Sequence, residues 1–506
     1  MSNNKQISKN TIILYLRMIV SMLFSLYTSR VVLRELGVVD FGINNIVSGL
    51  AVIFLFLNDS ISGATSRFLT YYLGKNDSVN LKKNFGASKT IHLFIAIIVI
   101  LLSETIGLYL LRHKLMIPQD RMFAANCIFQ LCVIGSFLTI TQVPYTACIF
   151  SREKMTFYAV IELIRSFLQL ASVFILNLGD DKLIFWGVLN LIINVVLFIF
   201  YRVYCWVNFE ECRSSFVFTQ QIVKPMLTFS GWDLYGNLSV MARSQGVNVL
   251  LNIFFGPLMN AASGIAVSIQ NAVMSLSNNL VMAMRPQIVK RYANNETESM
   301  LVLLNDVSKL SFLLISFLTI PLIVEIDYIL SLWLGNVPEY AAQISIYVLM
   351  FNIFANQSVI LISVIHATGK IFRSSFINGS LYLLVIPISY MAYKFGGAYW
   401  IAFLVNVIAV FCGMLSNAWT IHLYIPKFSF KRYIVGNLLP CIMTFSMTIG
   451  VALIIHLTFE KNIIRFILDI IIPSMVLCVI GYKLLLSIDM QQEIYRKIKH
   501  VLCRIS

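Results

Sequence analysis

Charge is what this chain has least of. Asp, Glu, Lys and Arg make up only 12% of its 506 residues, against about a quarter in an ordinary globular protein. No polar stretch is long enough for a soluble domain, which leaves no room for a separate catalytic module. Chemical motifs are missing too. The nine cysteines show no metal-ligand spacing, and Cys127, Cys132, Cys148, Cys412, Cys441 and Cys478 fall inside apolar runs, where they read as small buried hydrophobes. No His-Glu metal motif or nucleophile elbow occurs, and "HATGKIF" lacks the leading glycine and strand of a phosphate-binding loop. Neither a metal nor a cofactor is expected.

What is there is apolar: 58% of the residues are hydrophobic. Runs of about 20 residues, the length that crosses a bilayer, follow one another almost without pause. Hydropathy predicts about fourteen spans: 11–36, 43–73, 89–111, 122–150, 156–178, 183–207, 225–255, 261–288, 310–334, 341–367, 372–394, 398–425, 433–459 and 463–487. The fold class is an all-α polytopic membrane protein. The first run is broken by Arg17 and no small-residue cleavage site follows it, so it reads as a retained helix.

The net charge of +15 does not gather on one face, so nucleic acid is not an expected partner. Lys and Arg instead crowd alternate loops, from Lys75, Lys82 and Lys83 to Lys427, Lys431 and Arg432. The intervening loops carry far fewer. This asymmetry places both termini in the cytoplasm, and the tail "EIYRKIKHVLCRI" reads as an amphipathic helix along the anionic inner surface.

Landmarks recur about 220 residues apart: Gly37 with Gly256, Gly42 with Gly264, Arg67 with Arg285, Lys89 with Lys309, Glu104 with Glu325 and Pro118 with Pro338. The recurrence predicts two parallel six-helix lobes, 1–210 and 211–428, followed by a C-terminal helix pair and tail, 429–506. The charged segment Arg30 to Asp40 and its counterpart near Gly256 would be the first outer hairpin of each lobe.

Polar residues fall on single helix faces: Asn10, Arg17, Ser21, Ser25 and Thr28 on the first; Asn44, Ser48, Asp59, Ser62 and Ser66 on the second; Glu162, Arg165 and Gln169 on the fifth. The seventh carries Ser230, Asp233, Asn237, Ser244 and Asn248, with Arg243 to one side. Ser and Asn alone are ordinary interhelical glue, but a charge inside a span needs water, a partner or a ligand. Asp59 and Asp233 are candidate ion-coupling groups, for a proton or Na⁺. Glu104 and Glu325 read as solvated outer helix ends, Asp180 and Asp181 as a solvated turn, and His92, His366 and His456 as structural or interfacial.

The segments "TSRVVLRELGVVDFGINNIVSGL", "LNDSISGATSRFLTYYLGKND", "VMAMRPQIVKRYANNE" and "ILSLWLGNVPEYAAQ" resemble the Wzx-type polysaccharide flippases of the multidrug/oligosaccharidyl-lipid/polysaccharide (MOP) exporter superfamily, over nearly the whole chain. The resemblance implies a non-enzymatic bacterial inner-membrane protein. It would move undecaprenyl-diphosphate-linked oligosaccharide, an O-antigen or capsule repeat unit, by alternating access among membrane lipids. It also implies a cationic lumen, for which the candidates are Arg17, Arg243, Arg165, Arg67 and Arg285, with Asn237 beside them. The arginine-rich signature of lipid II flippases is shared only at its start. A drug or cation exporter of the same superfamily is the main alternative. A membrane polymerase or glycosyltransferase would be expected to carry a sizeable catalytic outer loop, and the outer loops here are short.

Overall fold

The computed structural model describes residues 2–52, 56–75, 77–152, 154–485 and 491, and the side chains of most of them. Every described element is helical. That is what a chain this apolar requires, because a helix satisfies its backbone hydrogen bonds within one segment while lipid offers none. The helices are α1 Ser2–Val52, α2 Phe56–Gly74, α3 Ser78–His113, α4 Met122–Ser151, α5 Met155–Phe174, α6 Lys182–Asn208, α7 Gln220–Phe255 and α8 Pro257–Ala293. There follow α9 Thr297–Val324, α10 Ile326–Leu334, α11 Ala341–Thr368, α12 Phe372–Lys394, α13 Ile401–Tyr424, α14 Phe430–Thr458 and α15 Ile463–Leu484. Their starts follow local chemistry. Asp77, Asp181, Ser429 and Asn462 each accept a backbone N–H one turn ahead and so cap α3, α6, α14 and α15.

Ten of these helices are long and apolar enough to cross a membrane, and the chain is a multi-pass membrane protein. The long helices α1, α2, α7 and α8 are not among the ten. They carry the Ser, Asn, Gln and charged stripes, and they are the first two positions of each expected repeat. Two boundaries differ from the hydropathy reading. α1 starts at Ser2 and runs through a bend to Val52, taking in the start of the second expected span. The span expected at 310–334 is divided at Glu325, which leaves helical geometry and separates α9 from α10. The expected amphipathic tail lies outside the described residues.

The bends at Gly37 and Gly256 share one backbone conformation. Gly37 has φ 76° and ψ 170°, and Gly256 has φ 80° and ψ −176°. Only glycine occupies this region without strain. No atom stands within 4 Å of where either Cβ would be, so conformation and not crowding selects the residue. The chain divides into two compact units. The first comprises Met1–Ser268, Pro338–Ala341 and Tyr382–Ala402, the second Ile269–Val337, Ala342–Leu381 and Phe403–Ser506.

Within the first unit the two bends pack against each other. A Cβ on Gly42 would collide with the Pro257 carbonyl, and one on Gly264 would lie 3.0 Å from the Asn45 side-chain nitrogen. This close approach lets asparagines bridge the two hairpins. Asn45 donates to the Asn260 carbonyl (2.6 Å), Asn252 donates to the Asn260 side chain (2.8 Å), and Asn260 donates to Asn248 (2.7 Å). Asn252 also accepts the backbone N–H of Met116 (2.6 Å). Asn252 and Asn260 are wholly buried.

The charges of the opening hairpin form a knot with α4 and α6. Arg121 holds Asp40 with bonds of 2.6 and 2.8 Å, and Asp181 with bonds of 2.8 and 3.0 Å. Lys182 reaches Glu35 at 3.0 Å, and Arg34 reaches it at 2.9 Å. Asp181 is therefore an ion-paired helix cap, not the solvated turn expected from sequence. Burial pushes its carboxyl up, but hydrogen bonds from Arg121 and from the Ile184 and Leu183 amides outweigh this and hold it below the usual carboxylate range.

Two predictions follow from this geometry. Gly37→Ala and Gly256→Ala should each cost about 1–3 kcal/mol through forced backbone strain, read as a lower melting temperature in detergent; a neutral effect at both would refute the shared bend. Because the Asp181 carboxyl is held low, its stabilisation is present above its unfolded value and is lost as pH falls through the folded one. The melting difference between wild type and Asp181→Asn should thus be open at pH about 7 and close below about 4.

Candidate functional site

The first unit contains a cavity of about 420 Å³ within its helices, inside the range of small-ligand sites. Four helices build its wall. α1, beyond the bend, contributes Asn44 and Ser48; α4 contributes Ser136 and Thr139; α5 contributes Arg165 and Gln169; α6 contributes Asn190 and Asn194. Each set is spaced by three or four residues, which puts side chains on one face of a helix. Arg165 is the only cation among the lining residues. Its guanidinium lies 3.5 Å from Glu162, which also accepts the Tyr201 hydroxyl at 3.2 Å. The arginine is thus held by a carboxylate one turn away while about a third of its side chain stays exposed.

The cavity joins faces read from sequence on the second and fifth spans, and adds two that were not. Asn190 and Asn194 lie four residues apart in the otherwise apolar run "LNLIINVVLF", and that spacing was the available signal. Asn190 donates to the Trp186 carbonyl at 2.9 Å, and the Asn194 amide stands 3.4 Å from where a Gly135 Cβ would be. A larger residue at 135 would intrude on it.

The other expected residues are distributed more widely. Arg243 sits on α7, half-buried, with its guanidinium 4.9 Å from the centre of the Tyr382 ring, a cation–π distance. It does not line the cavity of Arg165. Asn237 lies on the same helix, also half-buried. Arg17 on α1, Asp59 and Arg67 on α2, Asp233 on α7 and Arg285 on α8 have described backbones, but their side chains lie outside the described residues.

The second unit treats its polar groups differently, bonding them to one another. Ser277 and Ser311 are 2.6 Å apart, and Asn356 donates to Ser311 at 2.7 Å. Gln357 donates to the Ser308 carbonyl at 3.0 Å. Asn417 donates to Ser358 at 2.9 Å and accepts from Ser374 at 2.6 Å and Asn378 at 2.9 Å. All these residues are buried. This is interhelical glue in a buried core.

The same unit corrects the reading of Glu325. Glu325 is 2% exposed, not solvated. Its carboxylate takes Arg465 of α15 at 2.7 and 2.9 Å and His456 of α14 at 2.9 Å, with Asp469 wholly buried beside them. Ligating atoms of Glu325, His456 and Asp469 lie within 4.8 Å of one another. The Arg465 guanidinium on the same carboxylate supplies the positive charge and disfavours a divalent ion there. The cluster pins the last two helices to the end of α9. The cysteines gather likewise: Cys148 and Cys212 bring their sulfurs to 3.7 Å, beside Glu211, which Arg152 holds at 2.9 Å.

These features define an all-helical membrane bundle whose first unit holds a polar cavity, and solved structures share its fold. The chain is similar in fold to the lipid II flippase MurJ in its inward closed conformation, with a TM-score of 0.70 and 13% identity over 93% of this chain and 98% of that one. It is similar to the MATE multidrug transporter DinF-BH (TM-score 0.62, 14% identity, 83% and 95% covered) and to an inward-facing MATE transporter of the MOP superfamily (0.59, 13%, 82% and 96%). No protein-family model and no curated protein sequence matches the chain. The likeness is one of fold: an all-helical polytopic bundle like those of this flippase and these transporters.

Removing one partner of a buried ion pair costs about 3–5 kcal/mol. Arg465→Leu should therefore lower the melting temperature by several degrees, and a double Glu325→Gln, Arg465→Leu variant should lose less than the two single effects added. Strict additivity would show that the two do not act as a pair.

Proposed function

We propose that the chain is a flippase for an undecaprenyl-diphosphate-linked oligosaccharide, carrying the headgroup across the bacterial inner membrane by alternating access. The observation that carries this reading is the cavity around Arg165, where a cation stands among amides and hydroxyls at the depth of lipid. A sugar hydroxyl left unpaired in hydrocarbon costs about 4–8 kcal/mol, so a repeat unit cannot cross unaided. Asn44, Ser48, Gln169, Asn190 and Asn194 can exchange hydrogen bonds with hydroxyls in place of water. The planar guanidinium of Arg165 suits a phosphate, whose oxygens it engages in pairs. Glu162 orients that guanidinium from behind and offsets the cost of burying it while the chamber is empty.

In this reading Arg243, Arg17, Arg67 and Arg285 extend the cationic path and Asn237 adds a hydrogen-bonding group. The two lobes are 1–210 and 211–428, with 429–506 as an accessory pair, and both termini are cytoplasmic, in keeping with the crowding of Lys and Arg in alternate loops. Asp59 and Asp233 take the coupling ion, H⁺ or Na⁺. The membrane potential alone supplies about 2.3 kcal/mol per charge per 100 mV. The glycine bends at 37 and 256 are the points about which the outer hairpins part.

The test is a strain lacking the gene, scored for the leaflet in which the lipid-linked glycan accumulates and complemented with variants. Arg165→Ala should slow transfer about tenfold or more, the worth of one charge-assisted bond to phosphate, and Arg165→Lys should restore only part. Unchanged glycan transfer in Arg165→Ala, together with lost efflux of a cationic dye, would replace this reading with that of a drug exporter.

A further inference from the structure

The repeat pairs Lys89 of α3 with Lys309 of α9, yet the two lysines meet different surroundings. In the first unit the chain after α6 folds back over Lys89. The lysine donates to the Ser214 carbonyl and its ammonium lies 4.7 Å from the centre of the Phe216 ring. Thr90 beside it donates to the Val217 carbonyl at 3.0 Å. The place is filled by the protein's own chain.

In the second unit the corresponding chain after α13 is short, runs into α14 at Phe430 and reaches α9 through Lys427. A cavity of about 700 Å³ opens between α9 and the start of α14, and Lys309, Lys427 and Arg432 line it. Lys427 is paired with Glu298 at 2.7 Å. Lys309 and Arg432 have no acidic partner among the described residues, so the cavity carries a net positive charge. Its floor is open at Gly436, where a Cβ would meet nothing within 4 Å. Beside it on α14, past Arg432, Val435 and Leu439 expose 54% and 47% of their surface.

Cations above and exposed aliphatic side chains below are the two halves of a phospholipid's requirement. Lys309 stands where α9 passes from its polar first turns, with Glu298, Asn305 and Asp306, into the apolar run Leu310–Val324. That is the level of headgroup phosphates. An uncharged lipid would leave both cations unanswered, and a free anion would leave the aliphatic side chains uncovered.

We propose that this cavity binds one anionic phospholipid of the adjoining leaflet, its phosphate on Lys309 and Arg432 and an acyl chain along Val435 and Leu439. The site is separate from the chamber of Arg165 and independent of what that chamber carries. The lipid takes the place that the 214–217 segment holds in the first unit, tying α14 to α9.

The full-length protein is reconstituted in phosphatidylcholine nanodiscs containing a minor fraction of phosphatidylglycerol, and retained lipid is counted by native mass spectrometry. Wild type should keep one phosphatidylglycerol in preference to phosphatidylcholine. Lys309→Gln and Arg432→Gln should each reduce its retention about fivefold. Gly436→Leu fills the open floor without removing a charge and should also displace the lipid while leaving the melting temperature in phosphatidylcholine unchanged. Three results would overturn the proposal: equal retention in wild type and all three variants, equal retention of the two lipids, or loss of the bound phosphatidylglycerol to millimolar inorganic phosphate, which would mark a free-anion site.

Discussion

Every feature of this molecule answers one constraint: a polar group at the depth of lipid must find a partner in the protein or stay in water. The chain meets it in three ways. Backbone groups are absorbed by helices. Single Ser, Thr and Asn side chains are absorbed by neighbouring helices, as around Asn417 and Ser311. Charges are either neutralised in place, as Glu325 is by Arg465 and His456, or left facing a chamber, as Arg165 is. Only the last arrangement keeps a strong donor available to something that comes and goes.

The contrast between the two units gives this choice its meaning. Both glycine bends, at 37 and 256, lie in the first unit; the second unit bonds its core Ser, Asn and Gln side chains to one another, whereas the first also leaves amides and Arg165 lining a common cavity. Bonded networks such as Ser277, Ser311 and Asn356 hold helices in fixed register. A cavity lined by amides has no such lock, and it is the arrangement that can exchange hydrogen bonds with a passing headgroup. The asparagine bridge between the first and second hairpins is intermediate: satisfied, buried and built from a few neutral bonds, each worth about 1 kcal/mol, so it is strong enough to hold and weak enough to part.

Much of this was legible in the sequence, for a definite reason. Membrane spans announce themselves through length and hydropathy, and the glycine pair showed through because its backbone angles admit no other residue. Arg165, Gln169, Asn44 and Ser48 stood out as polar residues at helical spacing in apolar surroundings. Asn190 and Asn194 obey the same spacing, but two neutral amides in so apolar a run do not raise its polarity enough to distinguish a cavity face from interhelical glue. Glu325, His456, Arg465 and Asp469 could not be joined from sequence, since more than a hundred residues separate the first from the others and only the packing of three helices brings them together. The start of α1 and the break at Glu325 escaped for a smaller reason: hydropathy locates lipid, not the ends of helices.

The central claim is that the chamber around Arg165 is wet although it lies at the depth of lipid. Cysteine labelling in a cysteine-free background tests it most directly, comparing two neighbouring positions of α6 in membranes. The Asn190→Cys thiol faces the cavity, whereas the Ile192→Cys thiol replaces a residue 52% exposed on the outer surface of the helix. A water-soluble, membrane-impermeant thiol reagent should label Cys at 190 and spare Cys at 192. Equal protection of both would mean that the chamber is closed to water, and the account would fail.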